Sequence, residues 1–196
     1  MHLAETKTPI RFIDLFCGIG GFRTAGDSLS WQCVFSCDID PDARKAYAAN
    51  YGDMPLGDIK EVINGQIPDH DVLCAGFPCQ PFSIIGDRKG FSDTRGTLFF
   101  EIARIIEAKQ PRAFVLENVK QLATHNKGRT LKRILEVLRE LDYTVEYRIL
   151  NALDFGLPQK RERILIVGMR DEFPFAWPTG GVPMRPLSEI LEKDVP

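Results

Sequence analysis

Short apolar runs alternate along the chain with longer segments in which apolar residues recur at helical spacing. Six runs predict strands, at residues 11–17, 33–38, 71–76, 113–117, 144–150 and 163–168. Helical spacing predicts helices at 41–50, 98–109 and 130–141. The first of these helices follows Asp40, which is suited to act as its N-cap. The pattern therefore predicts strands and helices in alternation.

This alternation determines the predicted fold class, which is α/β. Strands that alternate with helices indicate right-handed βαβ units and a mainly parallel, Rossmann-like sheet. The last two predicted strands are joined by residues 151–162, which leave little room for a crossover helix. We therefore expect an antiparallel hairpin at the edge of the sheet. After Met169 proline and glycine become frequent, which indicates an irregular connector that leads to a short helical stretch at 187–193.

Composition excludes several classes of protein. The 196 residues suit one domain, and 44% of them are hydrophobic. The sequence shows no apolar run long enough to span a membrane and no signal-peptide core, so we expect a cytoplasmic protein without a membrane partner. Five cysteines without a CxxC pair favour reduced thiols over a disulfide framework or a bound metal. A net charge of −2 argues mildly against strong independent DNA affinity but allows a local basic patch.

Candidate ligand-binding residues follow the first predicted strands. The segment DLFCGIGGF at 14–22 is a glycine-rich turn, which either lets a ligand approach the backbone or simply links a strand to a helix. Asp38 ends the second strand and is placed to accept hydrogen bonds from ribose hydroxyls, whereas Asp40 precedes Pro41 and suits a helix cap. Asp58 is either a solvated loop residue or a contact for an adenine amino group. Together these features favour a ligand that contains a nucleoside.

Candidate reactive groups follow the later strands. Cys79, in the segment GFPCQPFS at 76–83, lies beyond the end of the third strand and is either a packing residue or a reactive thiolate. Cys74, within that strand, suits the packing role better. Glu117 ends the fourth strand and is a candidate general acid. The segment QKRER at 159–163 is either a solvated basic turn or the source of an arginine directed at a phosphate or a base.

Taken together, these segments resemble the DNA cytosine-5 methyltransferase family of bacterial restriction–modification systems. The resemblance rests on DLFCGIGGF, GFPCQPFS, ENV and QKRER in the family's order, with further similarity in GFSDTRGTLFF and NALDFG. It spans roughly residues 10 to 170. It implies the S-adenosylmethionine-dependent methyltransferase form of the Rossmann-like fold. It also implies a catalytic domain at 1–172, with the arginine motif near its end, followed by a linker at 173–196.

The resemblance implies methyl transfer from S-adenosylmethionine to carbon 5 of a cytosine flipped out of duplex DNA, with S-adenosylhomocysteine as product. Cys79 is then the nucleophile that attacks carbon 6 and forms a covalent intermediate. Glu117 contacts ring nitrogen N3 and the exocyclic amine, and Arg163, with Arg161 nearby, holds the base carbonyl. The cofactor contacts that the resemblance implies are Phe16, Gly18, Ile19, Gly20, Asp38, Ile39, Asp58, Ile59, Pro78 and Leu98.

The family normally continues beyond the arginine motif with a target-recognition domain and a closing helix. We find neither in this sequence. We therefore expect the chain to be the catalytic part of a split or truncated enzyme, inactive or nearly so alone. The resemblance then implies a partner, a second chain that carries the target-recognition domain and the closing helix.

Three other functions are considered. A tRNA cytosine-5 methyltransferase belongs to the same superfamily, but PCQPFS is more similar to the DNA group. A non-catalytic scaffold that binds the cofactor or a partner subunit has no need of intact Cys79, Glu117 and Arg163. A nicotinamide-dependent dehydrogenase requires the GxGxxG fingerprint, which the turn at 14–22 does not contain.

Overall fold

Six strands form a single sheet in the computed structural model, which describes residues 8–78, 98–171, 175–189 and 191. The strands are β1 (Arg11–Leu15), β2 (Gln32–Cys37), β3 (Val72–Gly76), β4 (Ala113–Val119), β5 (Thr144–Asn151) and β6 (Glu162–Met169). Their order across the sheet is β2-β1-β3-β4-β6-β5. Strands β1 to β4 pair in parallel, whereas β6 is antiparallel to both β4 and β5. The predicted α/β class, with a mainly parallel sheet and an antiparallel pair at one edge, is confirmed.

The outermost strand of the antiparallel pair is β5, because β6 inserts between β4 and β5. The side chains explain this order. Ile164 and Ile166 of β6 are fully buried, whereas Glu146 and Arg148 of β5 are exposed, as is usual for an edge strand. Trp177 packs on this exposed side of β5. Its indole nitrogen donates a 2.8 Å hydrogen bond to Glu146, and the Arg148 guanidinium lies 5.4 Å from its ring centre.

Within the described ranges, four α-helices connect or follow the strands. They are α1 (Gly21–Ser28), α2 (Pro41–Tyr51), α3 (Leu98–Lys109) and α4 (Arg129–Glu140). The three predicted helices agree with α2, α3 and α4 to within one residue at each end. Asp40 caps α2 as predicted, since its side chain accepts hydrogen bonds from the amides of Asp42 and Ala43. The stretch predicted at 187–193 is a 3₁₀ turn at Leu187–Glu189, and its remainder falls largely outside the described residues.

Apolar clusters lie on both faces of the sheet. The larger cluster packs residues such as Leu73 and Leu116 of the sheet against α3 and α4. The smaller one contains Phe12 and Cys74 on the opposite face. Helix α1 approaches this second face closely, because any side chain at Gly26 would overlap the Phe12 ring at 2.6 Å. Since β1 to β4 are parallel, their carboxyl ends lie at one edge of the sheet, where every candidate site residue on these strands is found.

No helix in the described ranges is long and apolar enough to cross a membrane.

Candidate active site

Asp38 ties the turn after β1 to the end of β2. One of its carboxylate oxygens accepts a hydrogen bond from the Gly18 amide at 2.8 Å, and the other accepts from the Asp40 amide at 2.9 Å. A carboxylate offers about four acceptor sites. Each oxygen therefore keeps capacity for another donor, such as a ribose hydroxyl.

The two glycines predicted to contact a ligand have different surroundings. A Cβ atom added at Gly18 would meet nothing within 4 Å, so this part of the turn borders open space. A Cβ atom added at Gly20 would overlap the Tyr51 ring at 2.2 Å, and Gly20 has a φ of 99°. Gly20 is therefore required for packing and backbone conformation. Phe16, which precedes both glycines, is half-buried and also has a positive φ, of 56°.

Two apolar side chains project beside this turn. Ile19 is 67% exposed and Ile39 is 70% exposed. They directly follow Gly18 and Asp38, the two residues joined by the hydrogen bond described above. Large apolar side chains at such exposure offer a surface that a flat ring can cover. The structure therefore provides open space, apolar contacts and a carboxylate at one place.

The remaining predicted cofactor contacts lie in less open positions. Asp58 caps the 3₁₀ turn Ile59–Glu61, since its side chain accepts from the Lys60 amide at 3.0 Å. The Ile59 side chain is only 2% exposed and belongs to the core. Pro78 is exposed just after β3, and Leu98 begins α3 with its side chain against the core. Their contacts with a ligand stay predictions.

Glu117 and Arg163 form an ion pair at the same edge of the sheet, with 2.8 Å between Oε1 and Nε. In the antiparallel register Arg163 lies opposite Val119 and Glu117 lies opposite Leu165. The two side chains thus project from one face as diagonal neighbours. Each remains about a quarter exposed, at 26% for Glu117 and 27% for Arg163, so the pair is accessible to a ligand.

Arg161 lies two residues before Arg163, outside the strand. Its amide donates to the Asn151 Oδ1 atom at 3.2 Å, and its carbonyl accepts from the Ala152 amide at 3.0 Å. The backbone is thereby fixed while the residue remains exposed. The structure does not bring Arg161 into the Glu117–Arg163 pair.

Cys79, the predicted nucleophile, lies outside the described residues, but the chain leading to it is described up to Pro78. The buried side chain of Asn118, 2% exposed, donates from Nδ2 to the Phe77 carbonyl at 2.8 Å. Its Oδ1 atom accepts from the Val119 amide, also at 2.8 Å. Asn118 was not among the predicted site residues, although its position in the ENV motif directly after Glu117 marks it as a candidate.

Asp14 is a second residue that sequence reasoning missed. It lies in β1 opposite Cys74 of β3, is fully buried, and neither carboxyl oxygen makes a hydrogen bond of good geometry with the described residues. Burial is the main cause that raises the pKa of Asp14 to about 7; the backbone amide and charge of Arg23 oppose the rise, and the charge of Asp38 adds to it. This buried acid below the glycine-rich turn therefore holds a proton at pH values at which an ordinary aspartate is ionised.

The sequence profile of the C-5 cytosine-specific DNA methylase family matches residues 10–195, and the chain belongs to this family. The resemblance noted from the motifs is thus confirmed.

Two curated relatives illustrate the similarity. The chain is 57% identical over 182 residues to the Type II methyltransferase M.NgoBI of Neisseria gonorrhoeae, covering 93% of this chain and 57% of that protein. It is 53% identical over 165 residues to the Type II methyltransferase M.HhaI of Haemophilus parahaemolyticus, covering 84% of this chain and 50% of the relative. The chain thus spans about half the length of the curated relatives it matches.

Solved structures give the same fold. A DNMT2 mutant of Spodoptera frugiperda superposes with a TM-score of 0.77 at 22% identity, covering 95% of this chain and 61% of that one. At this identity the likeness supports the fold alone.

Proposed function

We propose that this chain carries the catalytic centre for methyl transfer from S-adenosylmethionine to carbon 5 of cytosine in duplex DNA. The observation that carries the proposal is the Glu117–Arg163 ion pair, in a chain of the C-5 cytosine-specific DNA methylase family. The pair lies beside the end of β3, since Gly76 is the register partner of Glu117, and the chain continues from there to Cys79.

The turn after β1 suits an adenosyl group. The open space at Gly18 admits a ligand to the backbone, and the free acceptor sites of Asp38 suit two ribose hydroxyls. The exposed side chains of Ile19 and Ile39 suit the flat apolar faces of adenine. When bound, S-adenosylmethionine supplies a methyl group on a positively charged sulfur, and S-adenosylhomocysteine is the product. We expect Phe16, Asp58, Pro78 and Leu98 to complete the contacts, with Gly20 acting through packing and Ile59 through its backbone.

Glu117 and Arg163 suit the polar edge of a cytosine. A protonated Glu117 can donate to N3 while its other oxygen accepts from the exocyclic amine. Arg163 has five N–H donors; Nε contacts Glu117, and Nη1 donates to the Glu162 carbonyl at 2.9 Å. Three donors remain for the base carbonyl. These contacts favour transfer because they neutralise charge that develops on the ring during attack.

Cys79 supplies the nucleophile in this proposal. Its thiolate forms a bond to carbon 6, the ring takes a proton at N3 from Glu117, and carbon 5 becomes nucleophilic and accepts the methyl group. A water molecule acting as base then takes the proton from carbon 5, the bond between carbon 6 and sulfur breaks to release the thiolate, and N3 returns its proton to Glu117. Thiolates suit both halves of this sequence because they are strong nucleophiles and good leaving groups.

We also propose that sequence-specific targeting needs protein outside these 196 residues, either in a second chain or further along the same polypeptide. The proposal is supported by relatives about twice as long and by the net charge of −2. Residues 1–172 are then the catalytic domain and 173–196 a linker. In support, β6 ends at Met169, and the only helix described at 175–189 is the 3₁₀ turn Leu187–Glu189.

Covalent trapping tests the proposed chemistry. A short duplex with 5-fluorocytosine at a mispaired position lowers the cost of base flipping, and fluorine at carbon 5 blocks release of the enzyme. With S-adenosylmethionine and the recognition domain of a relative present, we expect the chain to form an adduct that peptide mapping assigns to Cys79. The Cys79→Ser variant serves as the control and should form none. If no adduct forms even when the recognition domain of a full-length relative is added, the result would favour a non-catalytic scaffold. An adduct that forms only with tRNA would favour a tRNA cytosine-5 methyltransferase.

A further inference from the structure

Two side-chain hydroxyls meet at the carbonyl oxygen of Gly20, a buried residue at the end of the glycine-rich turn, directly before α1. This oxygen accepts the backbone amide of Thr24 at 2.9 Å. The Thr24 hydroxyl lies 3.0 Å and the Tyr51 hydroxyl 2.9 Å from the same oxygen, and the two hydroxyl oxygens are 2.6 Å apart. We call the hydroxyls of Thr24 and Tyr51 the hydroxyl pair.

The hydrogen atoms of the hydroxyl pair cannot serve all three of these contacts at once. Each hydroxyl has one hydrogen to donate, and the carbonyl oxygen has two lone pairs, of which the Thr24 amide uses one. One hydroxyl therefore donates to Gly20 while the other donates to its partner hydroxyl. Either hydroxyl can donate to the carbonyl, so the second donor to Gly20 is duplicated.

The Tyr51 ring, which carries one of these hydroxyls, is held in place by α1. It fills the space beside the Gly20 α-carbon, where a Cβ atom would come within 2.2 Å of the ring. The Arg23 guanidinium of α1 lies 5.1 Å from the ring centre. Arg23 forms ion pairs with Asp27 at 2.9 Å and with Asp53, just after α2, at 3.0 Å. The end of α2 is thereby joined to the start of α1, and the Tyr51 hydroxyl has a defined position.

The open part of the glycine-rich turn lies between two anchors. On one side the Asp38 carboxylate accepts a hydrogen bond from the Gly18 amide. On the other side the hydroxyl pair binds the Gly20 carbonyl. Between these anchors lie the open space at Gly18 and the exposed side chain of Ile19. A ligand that binds here meets a turn that is already ordered, so its affinity is not reduced by the cost of ordering the backbone.

We propose that Thr24 and Tyr51 are positioning residues for the S-adenosylmethionine site and that they act through the Gly20 carbonyl. The inference rests on the proposed function, because that function places the cofactor at this turn. In this role neither side chain needs to contact the cofactor. Both residues lie outside the motif segments from which the cofactor contacts were predicted.

Isothermal titration of S-adenosylhomocysteine into T24V, Y51F and T24V/Y51F tests the proposal. Each substitution removes a hydroxyl and nearly keeps the shape of the side chain. One hydroxyl still donates to Gly20 in each single variant, so we expect the Kd to rise only about twofold. In the double variant the carbonyl keeps the Thr24 amide alone, and we expect the Kd to rise about tenfold or more, beyond the product of the single effects.

The matched control is T144V/Y147F, which removes the same two hydroxyls from exposed positions of β5. Neither hydroxyl makes a hydrogen bond with any residue that the structure describes, and we expect this variant to keep the wild-type Kd. A Kd of T24V/Y51F equal to that of the control, or equal to the product of the single effects, would overturn the proposal. Urea unfolding supplies a further readout, since lower stability with an unchanged Kd would show a merely structural role and would also overturn it.

Hydrogen exchange of the chain without ligand separates this inference from the proposed function. The Gly20 amide donates to the Cys17 carbonyl, and the Thr24 amide donates to Gly20. We expect residues 17–24 to exchange about threefold faster or more in T24V/Y51F than in the control. If the wild type binds S-adenosylhomocysteine while exchange and Kd are unchanged in the double variant, the inference alone fails. If the wild type binds none, the proposed cofactor site fails and the inference fails with it, even where exchange is faster.

Discussion

The side-chain amide of Asn118 donates a 2.8 Å hydrogen bond to the carbonyl oxygen of Phe77. It thereby joins the end of β4 to the peptide that follows β3, two residues before Cys79. Gly76 is the last residue of β3 in the β3–β4 ladder, so the Phe77 carbonyl lies just beyond it. The Asn118 side chain thus provides a hydrogen bond between the two segments just beyond the last backbone pair of the ladder. Leaving such a buried group without a partner costs about 1–3 kcal/mol.

We expect Asn118→Asp to slow methyl transfer about tenfold or more. The new carboxylate oxygen cannot donate to the Phe77 carbonyl, so the peptide that leads to Cys79 is no longer held in place. Affinity for S-adenosylmethionine should change little, since its proposed contacts centre on β1 and β2. The alkylation rate of Cys79 between pH 6 and 9 is the second readout, and a purely structural role would leave that profile unmoved. Asn126→Asp is the control, because the Asn126 oxygen that accepts from Arg129 is retained. Normal turnover and alkylation in Asn118→Asp would contradict this role.

Glu117→Gln should lower the rate of methyl transfer by on the order of 100-fold or more, because it removes both the proton donor and the negative charge that pairs with Arg163. Because the ion pair is about a quarter exposed, we expect its loss to change the free energy of unfolding by less than about 1 kcal/mol. Single-turnover kinetics and urea unfolding measure the two effects separately. Glu136→Gln on α4 is the control. A variant that keeps its rate, or one that loses its rate only by unfolding, would argue against the role of Glu117.

Asp14 should make the protein less stable as the pH rises towards neutrality. Its pKa is about 7 in the folded chain against an ordinary 3.8, so the folded state holds a proton that the unfolded state has released. The stabilisation is fully present below pH 3.8 and is lost as the pH rises through about 7. The total is on the order of 4 kcal/mol, since each pKa unit corresponds to about 1.4 kcal/mol.

Asp14→Asn removes this dependence, because the amide has nearly the same shape and no titration. Urea unfolding of both proteins between pH 4.5 and 8 gives the difference in free energy, in which contributions of the other groups cancel. We expect wild type to lose stability relative to the variant across this range and to level off above pH 7. A constant difference would show that Asp14 does not titrate as described.

Gly20→Ala should destabilise the chain by about 1–3 kcal/mol and weaken S-adenosylmethionine binding. The added methyl group would overlap Tyr51 at 2.2 Å, and the φ of 99° is strained for alanine. Gly65→Ala is the matched control, because a Cβ atom there meets nothing within 4 Å. Thermal unfolding and isothermal titration measure both effects. Equal stability of the two variants would contradict the packing role assigned to Gly20.

Much of the fold follows from local pattern, whereas the site depends on register. The apolar runs locate all six strands, and the Asp40 cap can be predicted because it involves only its near neighbours. Glu117 and Arg163 were each predicted as site residues, but their pairing follows from an antiparallel register between distant strands. Spacing along the chain carries no information on that register.

The missed residues have a similar explanation. Asn118 contacts Phe77 across 41 residues, which no local pattern encodes. Asp14 seemed an ordinary member of a glycine-rich motif, and its burial is a consequence of α1 lying on the sheet. The strand order could not be predicted either. Proximity in the sequence suggested a simple hairpin at the edge but not which of its strands lies outermost; the exposed charged residues of β5 place that strand outside β6.

The insertion of β6 between β4 and β5 also has a consequence for synthesis on the ribosome. Until residue 169 has left the ribosome, β4 and β5 each lack the strand that finally lies between them. A nascent chain at that stage presents open strand edges, which are prone to mispairing and are natural binding sites for chaperones. Arg163 reaches Glu117 only when this last strand is in place. A stalled or prematurely released chain therefore lacks the proposed base-binding pair, and the proposed catalytic centre can form only after β6 has been translated.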